Sequence, residues 1–231
     1  MKNIIIILLS LSSFLVSQVF SEYAYVGASQ AAMVGSVSSN TSNEGGLFQN
    51  PASIAGFKGN IFIAGQANLF NQSYLPYRHF GLIYNIPIIG KIGLSYQSFS
   101  TENNGVKLSS ENSLSLSKGV FLQKDKNSSL AMGFSANYHM IHFGSSAGVS
   151  GDGSDGFNSK MISAIGVDIG FLGSLRGKNR LGVFIKNINS PIIGKGMSIQ
   201  NLPRKIHIGL TTIPNDVMEV SFTMEQLLGY H

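Results

Sequence analysis

From Asn60 to the end of the chain, apolar residues recur at every second position, the repeat of a half-buried β-strand. Nine segments show it. In the first, Ile61, Ile63, Ala67 and Leu69 share a face opposite Gln66 and Asn68. In the second, Phe80, Leu82, Tyr84 and Ile86 oppose His79, Gly81 and Asn85. In the third, Ile92, Leu94 and Tyr96 oppose Gly93, Ser95 and Gln97. In the fourth, Leu114 and Leu116 oppose Ser113, Ser115 and Ser117. The fifth sets Leu130, Met132, Phe134, Ala136, Tyr138 and Met140 against Gly133, Ser135, Asn137 and His139. The sixth sets Ile165, Val167, Ile169 and Phe171 against Ala164, Gly166, Asp168 and Gly170. Leu181, Val183 and Ile185 oppose Gly182 and Lys186 in the seventh. Ile206, Ile208 and Leu210 oppose His207, Gly209 and Thr211 in the eighth. Met218, Val220, Phe222 and Met224 oppose Glu219, Ser221, Thr223 and Glu225 in the ninth. The pattern predicts an all-β, antiparallel fold.

Alternation alone does not say which face is inside, and a soluble β-sandwich has one apolar face too. Three features favour a transmembrane β-barrel. The faces opposite the apolar ones carry Gly, Ser, Asn and Gln with few charges, and charged residues make up 12% of the chain, against roughly 25% in soluble domains. Several segments are long, and a tilted membrane strand needs about 9–11 residues. The connections also alternate in length. Residues 87–91, 123–128, 174–179 and 213–216 are short and rich in turn residues. Residues 71–78 are intermediate, and 100–111, 143–160 and 188–203 are long. Short turns on one side and long loops on the other suit an outer-membrane barrel. Nine strands are odd and leave two edges unpaired, so the readable strands are expected to belong to a larger, even-numbered barrel.

The N-terminus reads as an export signal. Lys2 is followed by an apolar run over Ile4–Val16, with cleavage expected after Ser21. The expected divisions are therefore a signal peptide at 1–21, an N-terminal segment at 22–57 and the strands at 58–231. The N-terminal segment contains a possible short helix over Ala28–Val37, a polar loop over Ser38–Gly46, and the stretch Gly45–Phe57, GGLFQNPASIAGF. Pro51 pushes Asn50 away from helical backbone, so a break is expected there. By itself the stretch also reads as a loop that ends a helix.

Two blocks resemble the FadL/PorV-like outer-membrane β-barrels. The first is the small-residue run Gly27-Ala28-Ser29-Gln30-Ala31-Ala32-Met33-Val34-Gly35, followed by Leu47-Phe48-Gln49-Asn50-Pro51-Ala52. The second runs through Ile165–Phe171, Leu181-Gly182-Val183-Phe184-Ile185-Lys186-Asn187-Ile188-Asn189-Ser190-Pro191 and Leu202-Pro203-Arg204-Lys205-Ile206-His207-Ile208-Gly209-Leu210. Ile188 and Asn189 depart mildly from the family pattern. The resemblance covers about 27–226. It implies that 22–57 is a plug (hatch) folded into the lumen, with Asn50, Pro51 and Ala52 as its motif. It also implies passive uptake of hydrophobic compounds at the outer membrane of a diderm bacterium. A PorV-like accessory barrel serving a type IX-like secretion system, with secretion proteins as partners, is the alternative. A secreted soluble β-protein is the second. Family barrels continue for more strands, so a truncated member or one that pairs with another chain is expected.

Charge and candidate chemistry change this picture little. The net charge of +5 is thinly spread, which argues against nucleic-acid binding. Cysteine is absent, which excludes disulfides and thiolate metal sites. Gly144-Ser145-Ser146-Ala147-Gly148 matches a nucleophile-elbow spacing but lacks the helix that follows one. Gly151–Gly156 lacks the terminal acidic ligand of a Ca²⁺ loop. His139 and His142 are three apart on a strand and face opposite sides. No catalytic pair is readable, and neither an enzyme nor a cofactor is expected. The candidate lumen residues are His139, Asp168, Lys186, His207, Glu219 and Glu225. They are expected to form ion pairs with one another or with Glu44 or Lys58, or to guide a substrate.

Overall fold

The computed structural model describes residues 33, 38–39, 46–103, 106–144, 160–194, 200–215 and 218–228. The signal peptide, most of the small-residue run and most of the Ser38–Gly46 loop lie outside them. Nine strands form one antiparallel meander. They are β1 (Ile61–Asn68), β2 (Pro76–Ile86), β3 (Gly90–Asn103), β4 (Val106–Lys124), β5 (Ser128–Phe143), β6 (Lys160–Leu175), β7 (Asn179–Lys186), β10 (Arg204–Asn215) and β11 (Met218–Leu228). Two short strands, β8 (Ile192–Ile193) and β9 (Gln200–Asn201), pair with each other in the long connection between β7 and β10. Each main strand pairs with its sequence neighbours, and β1 and β11 are the two edges. No helix among the described residues is long and apolar enough to cross a membrane, a statement that does not bear on strands.

The nine segments of period-two alternation all form strands. The connections differ at 213–216, where β10 runs on to Asn215, and most of all at 100–111. β3 runs to Asn103 and β4 begins at Val106, so most of the expected long connection over 100–111 is strand. Ser110, Glu111 and Asn112 pair with Ser100, Phe99 and Ser98. Apart from Phe99 these residues are polar on both faces and carry no apolar alternation, which is why the stretch reads as loop.

The two faces of the sheet have opposite chemistry. On β5, Ser135 is 7% exposed while its neighbour Phe134 is 45% exposed. The buried face holds Gly133, Ser135, Asn137 and His139, and the exposed one holds Leu130, Phe134 and Tyr138. The same sense holds on β4, β6 and β10, where Leu116, Ile165 and Leu210 point outward. β1 departs from it. Ile61 and Ile63 face the covered side, while Gln66 and Asn68 are exposed. The polar residues of β1 thus point outward, beside the exposed Phe62 and Ala64, the reverse of the sequence expectation. Its isoleucines cover apolar residues of the N-terminal segment instead.

That segment covers the polar face. A single helical turn, α1 (Gly46–Gln49), leads to Asn50 in extended backbone, at φ −142° and ψ 105°. A 3-10 turn over Pro51–Gly56 follows, with Pro51 at its first position, where proline's fixed φ and missing N–H cost nothing. The break expected at Asn50-Pro51 is there. Pro51, Ala52, Ser53, Ile54 and Ala55 are all buried.

Candidate functional site

The covered face can lie this close to the N-terminal segment because its strands are bare where the two meet. Gly119 pairs with Gly133, Gly133 with Gly170, and Gly182 with Gly209. A Cβ on Gly119 would stand 2.7 Å from the Ala55 amide nitrogen. One on Gly133 would overlap the backbone of Pro51 and Ala52, and one on Gly182 would overlap Ser38. Gly81 and Gly93, toward the β1 edge, receive Leu47 in the same way. Glycine serves here for close backbone approach.

Asn50 fixes the segment on this belt. Its Oδ1 accepts the Ala52 N–H at 3.1 Å and so caps the 3-10 turn. Its Nδ2 donates to the Ser38 carbonyl at 2.7 Å and to the Phe171 carbonyl of β6 at 3.3 Å. One buried amide thus joins turn, upstream chain and sheet. Pro51 and Ala52, the other residues of the expected motif, lie against β5. Ser39 adds a second tie, with its hydroxyl 2.7 Å from that of Thr211 on β10.

Beyond the segment, the covered face is ionic. Asp168 accepts from Asn137 Nδ2 at 2.7 Å and from the Asn187 backbone N–H at 2.8 Å. Asn187 ends β7 in left-handed backbone at φ 52°, a conformation Asn tolerates better than most residues. Its side chain donates to the Pro203 carbonyl at 3.0 Å. Lys205 donates to Glu225 at 2.7 Å, and His207 Nδ1 lies 3.6 Å from the other oxygen of Glu225. Lys186 lies within electrostatic reach of Asp168, Glu225, His139 and His207. The Phe184 ring packs on the His207 ring at 5.4 Å. Two carboxylates therefore face two ammonium groups, balanced in charge, with Asp168 and Lys205 buried and Glu225 half exposed on the edge strand.

Five of the six candidate residues come together here: His139, Asp168, Lys186, His207 and Glu225. Glu219 does not. It sits six residues from Glu225, about 20 Å along an extended strand, and its nearest cation is Arg180 at 4.0 Å. Lys58 is exposed and lines a different cleft, so the contact expected with this group is not made. Glu44 lies outside the described residues. Lys205 was missed as a strand-flanking charge, although the alternation that places His207 places it on the same face. Asn187 had no sequence signal of its own beyond the family resemblance.

The enclosed space next to Asp168 measures about 20 Å³ and is lined also by Ser117, Ser135 and Asn137. That holds about one water, so the space beside Asp168 is filled rather than open. A larger groove of about 540 Å³ lies by the β6–β7 turn, with Gly173, Leu175, Leu181, Leu210, Val220 and Phe222 in its lining. Among the described residues no three His, Asp or Glu side chains gather to hold a metal. His139 and His142 face opposite sides, the first buried and the second partly exposed. The elbow-like residues 145–148 and the acidic loop 151–156 lie outside the described residues. No family model matches the chain, and no curated protein matches it.

Proposed function

We propose that this chain is the wall and plug of an outer-membrane β-barrel that takes up hydrophobic compounds passively. One observation carries the reading. On β4–β7, β10 and β11 the exposed face is apolar, whereas the covered face there carries glycine, hydroxyl, amide and paired charge beside a few buried apolar side chains. A water-soluble sheet does the opposite, and lipid requires it. Residues 46–57 act as the plug, closing the lumen on the glycine belt. The apolar groove beside Gly173 falls within the usual size of small-molecule sites, about 300–1,000 Å³, and its lining suits an acyl chain or a similar hydrophobe.

A second reading rests on the small space beside Asp168, about 20 Å³. A barrel with so little room at that point beside its plug suits a platform for secretion-system proteins, as in an accessory barrel. One preparation separates these. Residues 22–231 are refolded in detergent and tested for a heat-shifted band on gels, for β-rich circular dichroism, and for uptake of a fluorescent fatty acid into vesicles. A heat-shifted band with uptake supports transport. A heat-shifted band without uptake, from protein that co-purifies with secretion components, supports the platform. Full solubility in buffer without detergent, with no heat shift, removes both and leaves a secreted β-protein.

A further inference from the structure

A second cleft, of about 640 Å³, lies at the rim where the short turns gather, between the exit of the 3-10 turn and β4. Its lining includes Lys58, Lys91 and Lys124 beside Phe57, Val120 and Phe121. Among the described residues, none of the three lysines pairs with a carboxylate. Lys91 donates to the Ala55 carbonyl at 3.1 Å and to the Phe57 carbonyl, which holds its ammonium at the cleft. Lys124 is close enough for its charge to act on Lys91, and it also lies 4.8 Å over the Phe121 ring. Asp125, the acid next to Lys124 in the sequence, is engaged by Gln123 at 2.6 Å and Ser128 at 3.4 Å.

Like charges crowded without a counter-ion favour an anion. The surroundings say which kind. Ile88 and Ile89, in the β2–β3 turn at the same rim, are among the exposed apolar residues, with Leu122 on β4. The neighbouring short turns add Lys126, Arg176 and Lys178. An apolar wall that ends in a basic rim matches the boundary between acyl chains and phosphates in an anionic leaflet.

We propose that this cleft binds the phosphate of an anionic phospholipid headgroup, held by Lys58, Lys91 and Lys124, with the acyl chains against the outer wall. The proposal rests on the membrane reading above. The test uses native mass spectrometry of the refolded chain in detergent, with phosphatidylglycerol and phosphatidylcholine offered together. The expected result is retention of phosphatidylglycerol over phosphatidylcholine by about tenfold. The K58Q/K124Q double variant, which leaves the Lys91 bonds in place, should retain the heat-shifted band and lose the preference. Equal retention by the wild type overturns the proposal, as does a preference that survives in the variant. Displacement of the lipid by equimolar inorganic phosphate assigns the cleft to free phosphate and overturns it as well. A chain with no heat-shifted band removes the membrane reading and the cleft together. A band without lipid preference removes the cleft alone.

Discussion

Under β1–β3 the covered face is apolar. Leu47, Ile54 and Phe57 pack on Ile83, with Phe48, Ile61 and Ile63 around them. Under β5–β11 the same face is mixed: beside the buried Ala131, Ile141, Ala164 and Leu172 it carries Asp168, Lys205 and Glu225, fixed by hydrogen bonds of 2.7–2.8 Å. The first region is held by area removed from water, which is non-directional and forgiving of detail. The second is held by partners at fixed distances, where one missing group strands another in a low-dielectric interior. The N-terminal segment spans both. Its apolar side chains sit toward the β1 edge, and its backbone and amides sit over β5–β10. The segment is thus anchored by two kinds of force with different weaknesses.

The largest break in this arrangement is expected from Gly133→Val, which drives a branched side chain into the Pro51 and Ala52 backbone. The loss is expected to exceed about 4 kcal/mol and to abolish the heat-shifted band. Ile54→Ala attacks the apolar side. Its fully buried side chain leaves a cavity, with a loss of about 3 kcal/mol in urea unfolding of the detergent-refolded chain. Asp168→Ala attacks the ionic side by orphaning the Asn137 and Asn187 donors, with a loss of about 2 kcal/mol. Asp168→Asn keeps one acceptor oxygen and should cost less than the alanine variant. An equal loss for asparagine would show that the carboxylate's charge, rather than its geometry, matters there. The smallest effect is expected from Asn50→Ala, about 1–2 kcal/mol for the lost cap and the lost tie to Ser38. Double variants sharpen the contrast. Ile54→Ala with Asp168→Ala should add within about 0.5 kcal/mol if the two regions act independently.

Strand positions were legible because a sheet with one apolar face writes its period directly into the sequence. β3 and β4 were read too short for the same reason in reverse. Ser109, Ser110 and Asn112 are polar whichever way they point, so the period vanishes while the pairing continues. The side of β1 was misread because its partner is the N-terminal segment, and no local pattern says that Leu47 and Ile54 need cover. Asn50 and Pro51 were legible as a break through proline's constraint on its neighbour. The three bonds of the Asn50 side chain were not, since Ser38 and Phe171 are distant in sequence. The ionic group was half legible. Alternation puts Asp168, Lys186, His207 and Glu225 on one face, but only register brings them together and leaves Glu219 apart.

The glycine belt has a consequence for the order in which this molecule takes shape. The complete seat for the segment, on glycines from β2 to β10, exists only once those strands are paired. Its docking therefore depends on contacts far apart in the sequence, the kind that come slowly in folding.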